Sequence, residues 1–148
     1  MSKAIITMGL PASGKSYVVG KQYPNMIKVD CDSFKQLHSD YNPERPESVH
    51  DWGKRCVEYM LQICIESGDS FIYDSTGTDI VYIEALISKL LKAGYDIELL
   101  HVSVSLKTAI ERNNTRARKV PEHIIYTKQT QLQLTTDKTP QTTNITTR

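Results

Sequence analysis

The octet Gly9-Leu10-Pro11-Ala12-Ser13-Gly14-Lys15-Ser16 constrains this chain more than any other stretch. It has the spacing G-x-x-x-x-G-K-S. An apolar, β-branched run, Ala4-Ile5-Ile6-Thr7-Met8, precedes it, and a segment over 15–22 that reads as a helix follows it, ending before Pro24. A strand that feeds a helix through such a turn must wrap the chain tightly. Glycines let backbone N–H groups approach an anion with no Cβ in the way. The helix behind them points its positive end at the same place. Lys15 is suited to phosphate oxygens and the Ser16 hydroxyl to Mg²⁺. Gly9, Pro11, Ala12, Ser13, Gly14, Lys15 and Ser16 are therefore expected to hold a nucleoside triphosphate. The glycine spacing of a dinucleotide-binding turn is absent.

The rest of the chain reads as alternating strands and helices, which predicts an α/β domain with a central parallel sheet. Strands are expected at 26–29, 70–73 and 97–104. Helices are expected at 48–67, 79–93 and 105–115, with another opening at Pro121 and reaching about Leu134. A short helix, capped by Asp32 or Ser33, is expected to run to His38. The folded domain is thus expected to span 1–134. From 135 the sequence is Thr-rich with one aliphatic residue, Ile145. It offers too little apolar surface to offset its ordering entropy, so a mobile tail is expected over 135–148. A swapped strand is the alternative there, because Thr favours strands.

Composition excludes several classes. The 148 residues are 39% apolar and 24% charged, with a net charge of +1, which gives no global electrostatic case for nucleic acid. No apolar run reaches the ~20 residues of a membrane helix. Cys31, Cys56 and Cys64 match no metal spacing, and free thiols fit a reducing cytosol. A cytoplasmic protein is expected, with no membrane partner and no indication of an oligomer. His38, His50, His101 and His123 form no triad.

The acids and bases then sort themselves. Asp30 and Asp32 follow the second strand, on the sheet edge that carries the glycine-rich turn. Either suits a proton acceptor for a hydroxyl, and a helix cap is the competing reading of Asp32. Asp74 closes the strand Ser70-Phe71-Ile72-Tyr73, where a carboxylate organises Mg²⁺. Ser75-Thr76-Gly77 follows, with hydroxyls for a phosphate or the acceptor. Arg112, Arg116, Arg118 and Lys119 form a basic cluster, and Arg112 and Arg116 share a helix face. Such guanidinium groups on a helical lid neutralise charge on a phosphoryl group in transfer, unless they are merely a solvated face. Lys35 is placed to hold an anionic group of the acceptor.

These residues resemble the kinase domain of bacteriophage polynucleotide kinase and related small kinases. The likeness spans about residues 3–134. It rests on the octet, on Asp30-Cys31-Asp32-Ser33-Phe34-Lys35-Gln36, on Asp74-Ser75-Thr76-Gly77, on Glu111-Arg112-Asn113-Asn114-Thr115-Arg116 and on Val120-Pro121. The resemblance implies a P-loop NTPase-type three-layer fold with a helical lid. It implies ATP and Mg²⁺, Asp32 as general base, and Arg112 and Arg116 over the ATP phosphates. Lysine stands at 35 where the family often has arginine, which keeps the charge but loses the bidentate fork. The stretch between Arg116 and Pro121 is one residue shorter. The leading expectation is transfer of a γ-phosphoryl group to a nucleic-acid hydroxyl, either a 5′ end or a modified base. The alternatives are a small-molecule kinase for a nucleoside, sugar or antibiotic, and a nucleotide-binding module without transfer activity.

Overall fold

In a computed structural model, residues 2–10, 13–75, 79–115, 123–128, 130–131 and 143–146 are described. The elements run β1 (Lys3–Met8), α1 (Lys15–Gln22), β2 (Ile27–Asp30), α2 (Cys31–Lys35), a 3₁₀ turn (Pro46–Val49) and α3 (His50–Ser67). They continue with β3 (Phe71–Asp74), α4 (Ile80–Lys92), β4 (Asp96–Ser103), α5 (Leu106–Thr115) and β5 (Thr143–Thr146). Residues 123–128 are also helical.

The strands form one sheet in the order β2-β3-β1-β4-β5, and every pairing is parallel. Parallel strands need crossovers, and the helices supply them on both faces. Alternation within β1 divides the core. Ala4, Ile6 and Met8 face Val57 and Leu61 of α3 and Leu86 and Leu90 of α4. Ile5 faces the other way, onto Val18 and Val19 of α1, together with Ile72, Leu100 and Val102. Both sides of β1 are thus dry, which is why its sequence is a continuous apolar run rather than an alternating one. Each fully buried Ile or Leu here contributes about 1.5–3 kcal/mol. The result is the expected three-layer α/β architecture around a parallel sheet.

Helix ends follow local chemistry. Asp79 accepts a hydrogen bond from the Tyr82 amide at 3.1 Å and opens α4. The Ser105 hydroxyl accepts from the Thr108 amide at 3.2 Å and opens α5. No described helix is long and apolar enough to cross a membrane.

Two expectations change. The short second helix is capped by Asp30, not by Asp32 or Ser33. Asp30 Oδ1 accepts from the Asp32 amide at 3.0 Å, and its Oδ2 accepts from the Ser33 hydroxyl at 2.9 Å. The helix therefore starts at Cys31, with Asp32 in its first turn. Within the stretch expected to be a mobile tail, residues 143–146 form β5, in register with Leu100–Ser103 of β4.

Candidate active site

β1 ends at Met8 and α1 starts at Lys15, so the octet joins the central strand to a helix at the carboxyl edge of the sheet. Pro11 and Ala12 lie outside the described residues. Gly9 is buried, and a Cβ there would stand 2.6 Å from the Val102 carbonyl oxygen. The Ser13 amide donates to the Leu10 carbonyl at 3.1 Å, which closes the turn. Gly14 takes φ 96° and ψ 16° as the N-cap of α1. That left-handed conformation suits glycine. Gly14 contributes no side-chain cap, so the first amides of α1 face the loop without one. Ser16 is exposed at the second position of α1.

Lys15 turns back into this loop. Its Nζ donates to the Gly9 carbonyl at 2.8 Å and lies 3.4 Å from the Leu10 carbonyl. Desolvation lowers its ammonium pKa, while the carboxylates of Asp74, Asp32 and Asp30 oppose the shift. Asp74 and Asp30 end neighbouring strands, and Asp32 follows in α2, at the sheet edge where β1 passes into the loop. From α5, the Arg112 guanidinium reaches the Ser13 carbonyl at 3.4 Å. Arg116, Arg118 and Lys119 lie outside the described residues.

The acids are set by strand register. Asp74 of β3 is the partner of Thr7 in β1 and of Asp30 in β2. Thr7 is fully buried, and its hydroxyl donates to Asp74 Oδ1 at 2.8 Å. The other oxygen, Oδ2, lies 3.4 Å from Lys28 Nζ. Lys28 Nζ also stands 3.9 Å from Asp30 Oδ2. The Ser75 hydroxyl donates to the Thr7 carbonyl at 2.9 Å, so it serves the strand end. Thr76 and Gly77 lie outside the described residues.

Asp30 is pushed above the usual carboxylate range, chiefly by burial and then by the Asp74 charge. The ionised form is disfavoured in the folded protein, so the penalty is present above the unfolded pKa and vanishes in acid. Asparagine caps a helix as well as aspartate does. Asp30→Asn is therefore expected to be at least as stable as the parent above neutral pH. Its advantage should shrink as pH falls through the carboxylate range. Thermal unfolding at a series of pH values checks this; an advantage that grows in acid would contradict it.

Asp32 sits on α2 with about half of its side chain exposed, and Lys35 Nζ is 3.7 Å from its Oδ1. Lys35 is itself buried. A second lysine, Lys128, approaches the same pair. Burial lowers its ammonium pKa, the Asp32 carboxylate opposes that, and Lys35 adds to it. Lys128 follows Ile125 by three positions on a helical stretch, and Ile125 is fully buried in the α3–α4 core. Positions three apart share a helix face, so that anchor directs Lys128 inward.

The site therefore gathers Lys15, Arg112, Asp30, Asp32, Lys35 and Asp74. Thr7, Lys28 and Lys128 belong to it and were not singled out from sequence. Lys28 was legible by the two-residue period that puts it on the Asp30 face of β2. Thr7 and Lys128 had no such local signal. The loop, its lysine and the α1 terminus fit a polyphosphate by their donor chemistry. Among the described residues no group of three His, Cys, Asp or Glu is placed to hold a metal ion. Mg²⁺ at kinase sites takes one or two carboxylates and completes its shell with phosphate and water; Asp74, the carboxylate at the end of β3, here meets the Thr7 hydroxyl and the Lys28 ammonium.

Fold and site together define a P-loop kinase-type module. The chain matches the zeta toxin family over residues 2–148, and it belongs to that family. No curated protein sequence matches it. Many solved structures share its fold, and three of them illustrate the range. The PezAT toxin–antitoxin system of Streptococcus pneumoniae has a chain that is 16% identical, at a TM-score of 0.70, over 99% of this chain and 68% of that one. The Pnkp1/Rnl/Hen1 RNA repair complex has one that is 20% identical at 0.74, over 93% of this chain but 46% of that one. This chain thus spans about half the length of that relative. A gluconokinase from Sinorhizobium meliloti is 13% identical at 0.60, over 97% of this chain and 82% of that one. The likeness to phage polynucleotide kinase accordingly holds for the kinase-type fold, while the family is zeta toxin.

Proposed function

We propose that this chain is an ATP-dependent phosphotransferase whose acceptor is a hydroxyl of a small molecule, such as a sugar or nucleoside. The observation that carries this is the sheet edge: β1 leaves it into the loop that holds Lys15, while Asp74 and Asp30 end the neighbouring strands and Asp32 follows in α2. Three things favour a small acceptor over a nucleic acid. The net charge is only +1. The gluconokinase fold is matched along most of both chains. The structure from the RNA repair complex is matched along less than half of its chain.

ATP supplies the γ-phosphoryl group; Ser16 and Asp74 are the residues that would hold Mg²⁺, which would offset the phosphate charge. In this reading the residues divide the work. The loop amides, Lys15 and Arg112 bind the polyphosphate, with Arg116 completing the lid. Asp32 accepts the proton of the attacking hydroxyl, while Lys35 and Asp30 line the acceptor side. A bond forms between the acceptor oxygen and the γ-phosphorus, the bond to the β,γ-bridging oxygen breaks, and ADP leaves. Charge on the transferring group is met by fixed cations that need no reorganisation.

The test is transfer of label from [γ-³²P]ATP to sugars, nucleosides and 5′-hydroxyl DNA and RNA. Label on a sugar or nucleoside is expected. Label confined to oligonucleotides would move the acceptor to nucleic acid. ATP binding with no transfer to any acceptor would leave a nucleotide-binding module.

A further inference from the structure

The core-facing stripe of α3 is Gly53, Val57, Leu61 and Cys64. Three of these side chains fill the core. Gly53 has none, although glycine weakens a helix interior relative to alanine. Its surroundings supply a reason. A Cβ at 53 would stand 2.9 Å from Cys31 Sγ, 3.0 Å from Lys35 Cγ and 3.4 Å from the Cys31 carbonyl oxygen. All three atoms belong to α2, the helix that carries Asp32. Gly20, inside α1, is the contrast, because a Cβ there would meet nothing within 4 Å.

We infer that Gly53 is a positioning residue: its missing Cβ lets α2 seat against α3 and so fixes where Asp32 and Lys35 stand. The inference rests on the reading of Asp32 as the proton acceptor. α2 is short and held at both ends. At its start the Asp30 carboxylate ties the Asp32 amide and the Ser33 hydroxyl to the end of β2. Just beyond its last turn, the His38 ring stands edge-on to Trp52 of α3, 4.8 Å between centroids. Between these ties the Lys35 stem lies over Gly53, and its ammonium is held 3.7 Å from Asp32. Bulk at 53 would push the middle of α2 away from α3, and the base would move with it. Catalytic groups tolerate little of this, since a shift of about 1 Å can cost about 100-fold in rate.

The test compares Gly53→Ala with Gly20→Ala, each alone and with Cys31→Ala. Two quantities are read. One is the transfer rate to the acceptor found with the labelled-ATP panel, alongside ATP affinity by calorimetry. The other is alkylation of Cys31 by iodoacetamide in the folded protein, mapped by peptide mass spectrometry. Gly53→Ala should lower kcat roughly 10–100-fold with ATP affinity within about twofold of the parent. It should also speed Cys31 alkylation several-fold. Gly20→Ala should change neither. Cys31→Ala removes the nearest obstruction, so in that background Gly53→Ala should cost less than ~3-fold, a coupling of neighbours in contact. Parental turnover in Gly53→Ala overturns the inference, as does an equal loss in the Cys31→Ala background. If the parent transfers phosphate to no acceptor, the proposed reaction falls by itself. The alkylation rate then still decides the packing claim, and an unchanged rate overturns it.

Discussion

Lys15→Ala is expected to cut phosphoryl transfer at least ~100-fold, the usual scale for removing one preorganised charge from a developing transition state. The geometry explains why no neighbour compensates. The ammonium lies inside the loop, bonded to the Gly9 carbonyl at 2.8 Å, while Arg112 approaches the same loop from α5, at the Ser13 carbonyl. Removing Lys15 leaves the cleft with Asp74, Asp32 and Asp30 facing the loop and one fewer cation to oppose them. An anionic substrate then loses the cation seated inside the loop. ATP affinity should fall together with kcat. Single-turnover transfer and calorimetry read the two separately, and near-parental values in both would remove Lys15 from the site. A pH signature accompanies this. Because burial lowers the Lys15 pKa, the parent should lose activity on the alkaline side below the ~10.4 of an ordinary lysine.

What could be read from the chain, and what could not, follows the reach of each interaction. The octet and its flanking strand and helix are local geometry, and α1 runs over Lys15–Gln22 as its spacing requires. The apolar runs at the start of β3 and along β1 mark strands buried on both faces. The cap of α2 was misassigned because Asp30, Asp32 and Ser33 are all capping residue types. The choice is made by where β2 stops, and that is fixed by the pairing of Asp30 with Asp74, residues 44 positions apart. β5 was hidden for a different reason. Its pairing with β4 is made by backbone groups, which composition does not report. Lys128 depends on which face of its helix turns inward, and only the burial of Ile125 settles that. Gly53 reads as an ordinary helix defect until α2 is seen against it.

The register of that strand end gives the second large effect its meaning. Asp32→Asn should lower transfer at least ~100-fold while ATP binding is kept, the upper part of the range for losing a general base being ~10⁴-fold. The substitution is a clean one here. The side chain that caps α2 belongs to Asp30, so the helix keeps its start when Asp32 is changed. Asparagine retains the size and an oxygen facing Lys35, now 3.7 Å from Oδ1. With the Asp32 side chain about half exposed, the ion pair itself is worth no more than about 1 kcal/mol. A fall in rate can then be assigned to the lost proton acceptor rather than to unfolding. A variant that keeps parental turnover would place the base elsewhere, with Asp30, whose carboxylate caps the same helix, the residue to test in its place.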